Sequence, residues 1–177
     1  MRQFYTEASG YCIENFENEM EWARKIKFAA TTADRFFSEY VWTVLSSGFK
    51  ASIAEKIITR VFANGFHPEV INHRLKRKAV EQGFKDSQRW FTRLKELPND
   101  KRVDYLESLP HIGPVTKYHL ARNIGLDFAK PDVHLVRLGK RFGFSDIQQM
   151  CGFIAEKTHE RIGVVDLVLW RYMSEHQ

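Results

Sequence analysis

Apolar residues recur at helical spacing along most of the chain. In TTADRFFSEYVWTVLSSG, Phe36, Phe37, Tyr40, Val41, Val44 and Leu45 form a single stripe, because residues three and four apart share one face of an α-helix. Asp34 is a candidate N-cap for that helix. The next run, SIAEKIITRVFANG, opens on a capping-box pattern, Ser52 with Glu55. It carries Ile53, Ile57, Ile58, Val61 and Phe62 on its apolar face and ends near Gly65. Pro68 suits a first helical position and Gly83 a helix stop, after which Asp86 can cap SQRWFTRLKEL. Ser145 with Gln148 repeats the capping-box pattern before IQQMCGFIAEKTHERIG, and VVDLVLWRYMSEH closes on another apolar stripe. Only KIKFAATT, residues 25–32, offers an extended reading, and no run alternates cleanly between turns as a half-buried strand does. Helices of about 10–15 residues joined by short loops predict an all-α bundle.

Composition narrows the class. The chain has 177 residues, enough for one domain or two small lobes with a core of their own. The formal charge of +5 points to a polyanionic partner without requiring one. Two cysteines, Cys12 and Cys151, are too few for a disulfide framework or a four-ligand metal site, so a reducing compartment is expected. No apolar run approaches the roughly 18 residues of a membrane span, and the first twenty residues are too acidic and polar for a signal peptide. Residues 1–30, with Glu14, Glu17, Glu19 and Glu21, read as an N-terminal segment that packs on a core formed by 31–177. There is no internal repeat and no low-complexity linker.

The stretch SLPHIGPVTKYHLARNIGLDFAKPDVHLVRL, residues 108–138, carries the chemistry. Its first half has the layout of two helices joined by a tight hairpin. Leu106 and Leu109 supply apolar contacts, and Pro110 disfavours helix at the residue before it. Gly113 permits the positive φ of a sharp turn, and Pro114 suits the start of the second helix. Amides exposed together at such a turn favour a phosphate; they position a nucleic acid without reading a base. The second half presents a lone carboxylate, Asp132, after Lys130 and Pro131.

Leu109, Pro110, Ile112, Gly113 and Thr116, followed by Asp132, His134 and Arg137, resemble the helix-hairpin-helix and Gly/Pro-Asp region of the helix-hairpin-helix DNA glycosylases, the endonuclease III superfamily. The similarity extends over residues 33–172. It implies an all-α, two-lobed domain with its helix-hairpin-helix at about 102–124 and a cleft between the lobes. It further implies excision of a damaged, mismatched or modified base from duplex DNA, as in base excision repair. Asp132 would be the catalytic carboxylate, and His111, Ile112, Gly113, Pro114, Val115, Thr116, Lys130 and His134 would meet DNA. The loop SSGFK, with Ser47 and Phe49, would fill the gap left by the extracted base. A monomer without cofactor is expected, in a prokaryotic or phage-associated cytoplasm or in a nucleus.

Departures from the family pattern refine that expectation. His111 stands where the family has the first hairpin glycine. Val115 stands where the lyase members keep a Schiff-base lysine, and Lys117 lies about 200° further round the helix. Water, rather than an amine, is then the nucleophile. The iron–sulfur cluster of many relatives needs four cysteines, and this chain has two. Plainer readings stand beside these. Asp132 can be an N-cap, Phe49 can pack between helices, and the basic run from Arg74 to Lys95 can be a solvated face. Trp90 and Phe91 read as core. The rival functions are a non-catalytic helix-hairpin-helix DNA-binding protein, a glycosylase/lyase using Lys117 or Lys130, and a basic bundle that binds RNA or protein.

Overall fold

The computed structural model describes residues 1–176, and among them there are nine α-helices and no strand. In chain order these are α1 (Arg2–Lys25), α2 (Ala33–Ser46), α3 (Ala51–Val61), α4 (Arg74–Glu96), α5 (Asn99–Glu107), α6 (Thr116–Asn123), α7 (Val133–Arg141), α8 (Ile147–Thr158) and α9 (Ile162–Glu175). The chain divides into two compact units. One is Met1–Ala30 together with the chain from Ala121 onward, and the other is Thr31–Leu120, so the boundary falls inside α6.

In the first unit α1 packs on α9, with α7 and α8 completing the bundle. Its core holds Met20, Leu135, Leu138, Met150, Val165 and Leu169. The Cys12 thiol, fully buried, donates to the Val168 carbonyl. The segment read as extended is instead a short 3-10 turn, Phe28–Ala30. Its position is fixed by Arg161, whose guanidinium donates to the carbonyls of Ala23, Ile26 and Gly125. Gly125 has φ +89°, and a Cβ there would lie 2.5 Å from the Phe28 nitrogen, so a close backbone crossing as well as a left-handed turn demands glycine.

In the second unit α2 packs on α3 and α4. Phe36, Tyr40, Val41, Val44 and Leu45 are all fully buried, as their spacing predicts. Thr32, not Asp34, caps α2 by accepting from the Arg35 amide. The Ser52–Glu55 capping box does not form, since α3 already begins at Ala51. Gly83 does not stop a helix. It lies inside the continuous α4, where a Cβ would come within 2.6 Å of the Tyr40 ring. A glycine that signals a stop in sequence is here a groove for an aromatic side chain. Asp86, placed mid-helix in consequence, pairs with Arg89 instead of capping. Before α8 the cap is Asp146, not Ser145.

Candidate active site

Asp132 is the N-cap of α7. Its Oδ1 accepts from the amides of His134 (3.0 Å) and Leu135 (3.1 Å), where the positive end of the helix dipole favours a carboxylate. The cap and the expected catalytic group are therefore one side chain. The half-buried Asp132 keeps its second oxygen clear of protein donors among the described residues. Two side chains from distant helices hold the loop that presents it. Gln148 of α8 both accepts from the Ala129 amide (2.9 Å) and donates to its carbonyl. Asp166 of α9 accepts from the Lys130 amide (3.2 Å). Asp166 is 1% exposed, so its charge needs a partner, and Arg122 supplies one. Burial pushes the Asp166 carboxyl upward against the pull of Arg122.

Lys130 is close enough to Asp132, Arg122 and Asp166 to interact with all three charges. Burial lowers its pKa, and Arg122 adds to the effect while Asp132 and Asp166 oppose it. No hydrogen bond or ion pair engages its ammonium among the described residues. Lys117 is the opposite case. Glu107 and Asp104 grip its ammonium, and the hydrogen bond to Glu107 chiefly holds its pKa above the ordinary lysine value.

The hairpin between α5 and α6 belongs to the second unit. Leu109 and Ile112 are buried, so Ile112 anchors the turn by its side chain and only its backbone remains to meet a ligand. Tyr40 fastens the turn from below by donating to the Pro110 carbonyl (2.7 Å). The residue with positive φ is His111, at +62°, not Gly113. The Gly113 amide donates to Thr116 Oγ1 (2.8 Å), and the Ile112 amide to the Leu109 carbonyl. The amides of His111, Val115 and Thr116 are left without an acceptor among the described residues. Pro114 and Val115 are exposed, and Val115 carries no charge.

The Ser47–Lys50 loop lies in the same unit. Lys76, in the basic run that can be read as a solvated face, is instead 3% exposed and donates to the carbonyls of Leu45 (3.1 Å) and Ser47. Its ammonium lies 4.0 Å from the centroid of the half-buried Phe49 ring. Phe49 thus covers a buried cation. Burial lowers the Lys76 pKa. Others of that basic run pair locally, Arg89 with Asp86 and Arg93 with Glu96. Trp90 and Phe91 are core, and so are Phe36 and Tyr40. The sequence reading missed Lys76 as a structural group, although its spacing from Val80 and Gly83 puts it on the apolar face of α4. It missed Asp166 too, a lone acid inside the apolar run VVDLVLW.

These arrangements sit in an all-helical fold that is also found in two solved 8-oxoguanine DNA glycosylases. Two solved structures match over nearly their whole length. The first is the 8-oxoguanine glycosylase/lyase of Methanocaldococcus jannaschii, solved with a 15mer DNA containing 8-oxoguanine. It has a TM-score of 0.73 and 17% identity, over 99% of this chain and 98% of that one. The second is the 8-oxoguanine DNA glycosylase of Thermotoga maritima, with a TM-score of 0.72 and 19% identity over 95% and 94%. No family model matches the sequence, and no curated protein matches it either.

Proposed function

We propose that the chain is a DNA glycosylase that hydrolyses the N-glycosidic bond of a damaged or modified base in duplex DNA. The observation that carries this reading is Asp132. A carboxylate is fixed through one oxygen by two amides and left free at the other, in a fold shared with two 8-oxoguanine glycosylases. Departure of the base leaves positive charge on the sugar, and a preorganised carboxylate stabilises that charge without rearranging. The free oxygen can also take a proton from the attacking water. Val115 supports water as the nucleophile, because the hairpin offers no amine at that position. His111, Val115 and Thr116 amides supply phosphate contacts, and Lys130 and His134 flank the carboxylate. Incubating the protein with duplexes carrying 8-oxoguanine and other lesions, and measuring released base in single turnover, tests this reading. Release of no base from any duplex would leave the fold as a DNA-binding module.

One observation favours a second reading, with an amine as nucleophile. The Lys130 ammonium is desolvated and has no hydrogen bond or ion pair among the described residues, and burial favours its neutral, nucleophilic form against the pull of Asp132 and Asp166. Borohydride trapping on a duplex with a preformed abasic site separates the two. A covalent adduct that Lys130→Arg abolishes supports the amine; no adduct with the unaltered protein supports water.

A further inference from the structure

His111 adopts a left-handed backbone, φ +62°, and its imidazole is exposed. A non-glycine residue in that conformation costs roughly 1–2 kcal/mol, so the imidazole needs a reason to be there. A second exposed imidazole, His73 at the start of α4, lies alongside, with ring centroids 6.0 Å apart. His73 Nδ1 accepts from the Lys76 amide (3.3 Å), which leaves its Nε2 facing outward as the protonated nitrogen. The Phe49 ring borders His73 on the other side, at 6.5 Å. Two imidazole donors at that separation can each reach one oxygen of a single phosphate.

Among the described residues no acid acts on His111. The charged groups acting on His111 are Lys76 and His73, both from the start of α4. The α2–α3 loop adds Phe49 and Lys50, and the hairpin from Ser108 to Val115 contains no carboxylate. Burial, then Lys76, then His73 depress the His111 pKa below the ordinary histidine value. An anion arriving there meets a neutral imidazole that its own charge would protonate.

We propose that His73 and His111 form a phosphate subsite for the DNA backbone that takes up a proton when DNA binds. The subsite rests on the DNA-binding reading above and goes beyond it in naming two side chains and a proton. Affinity for duplex DNA then rises as pH falls through the ordinary imidazole range, by up to about tenfold per pH unit for one proton taken up. The slope vanishes where the free protein already carries the proton.

Fluorescence anisotropy on an undamaged duplex, from about pH 5.5 to about pH 8 at constant ionic strength, brackets that range. Two variants suit it. His111→Gly removes the imidazole and relieves the positive φ. His73→Asn removes the other ring but keeps a capping acceptor for the Lys76 amide. The expected result is a sloped pH profile for the unaltered protein and a flattened one for each variant. The same slope in all three proteins, or no slope in the unaltered one, overturns the subsite while leaving DNA binding intact. Absence of DNA binding at every pH overturns the DNA-binding reading, and the subsite with it.

Discussion

Replacing Asp132 by asparagine and by alanine separates its role as a cap from its proposed role in catalysis. As N-cap, Asp132 accepts two amide hydrogen bonds on Oδ1, at 3.0 and 3.1 Å. Asparagine offers an oxygen at the same place and ranks with aspartate as a cap, whereas alanine offers none. Asp132→Ala is therefore expected to lose about 1 kcal/mol of stability. In a protein of this length that lowers Tm by about 2–4 °C. Asp132→Asn is expected to stay within about 0.5 kcal/mol of the unaltered protein. Base release should not follow this pattern. Both variants lack the negative charge that would face the developing positive sugar. Losing one preorganised electrostatic partner slows a reaction by about 10²–10³-fold, or about 2.7–4 kcal/mol. Thermal unfolding and single-turnover base release on the best substrate of the lesion panel read the two effects in the same preparations. An asparagine variant with undiminished release would refute the charge argument, and the catalytic assignment of Asp132 with it. An alanine variant as stable as the unaltered protein would refute the cap.

Gly125→Ala should be among the most damaging single-methyl changes in the chain, because the added Cβ meets the Phe28 nitrogen at 2.5 Å and the Lys27 carbonyl carbon at 2.6 Å in a residue with φ +89°. A loss of about 3 kcal/mol or more is expected, as for overpacking compounded by backbone strain, and a urea midpoint near that of the unaltered protein would contradict it. Lys76→Met strips the carbonyls of Leu45 and Ser47 of their shared donor. A cost of about 1–3 kcal/mol follows; a variant more stable than the parent would show that the buried ammonium is a net burden. Cys12 and Cys151 are fully buried, and burial pushes the Cys12 thiol up to about 11. Neither should react with a thiol reagent at about pH 8 until the protein unfolds, and rapid labelling under native conditions would refute that burial.

Helix α2 was legible because burial and periodicity agree: every residue named in its stripe is buried, whereas on α3 Val61 is buried but Ile53 and Phe62 of the expected apolar face are exposed. The boundaries were less legible because the same residue types serve two physical purposes. Glycine permits a left-handed turn, but it also admits a neighbour. The sequence does not say which use prevails at Gly83, where Tyr40 fills the space, or at Gly113, where the adjacent His111 takes the positive φ. Charged residues pose the same problem. Lys76 looks like one more basic residue in a run of them, yet it is a core group that ties down the Ser47–Lys50 loop. The cap at Asp132, by contrast, forms where the local pattern puts it, directly before α7, although the same kind of signal fails at Asp34, where Thr32 caps instead. What lay beyond local reach is the support of Asp132 by Gln148 and Asp166, 16 and 34 residues further along. Those contacts exist only once α8 and α9 have packed. The cap at Asp132 can thus be found from a motif, while the hydrogen bonds that hold the loop before it are a property of the folded unit.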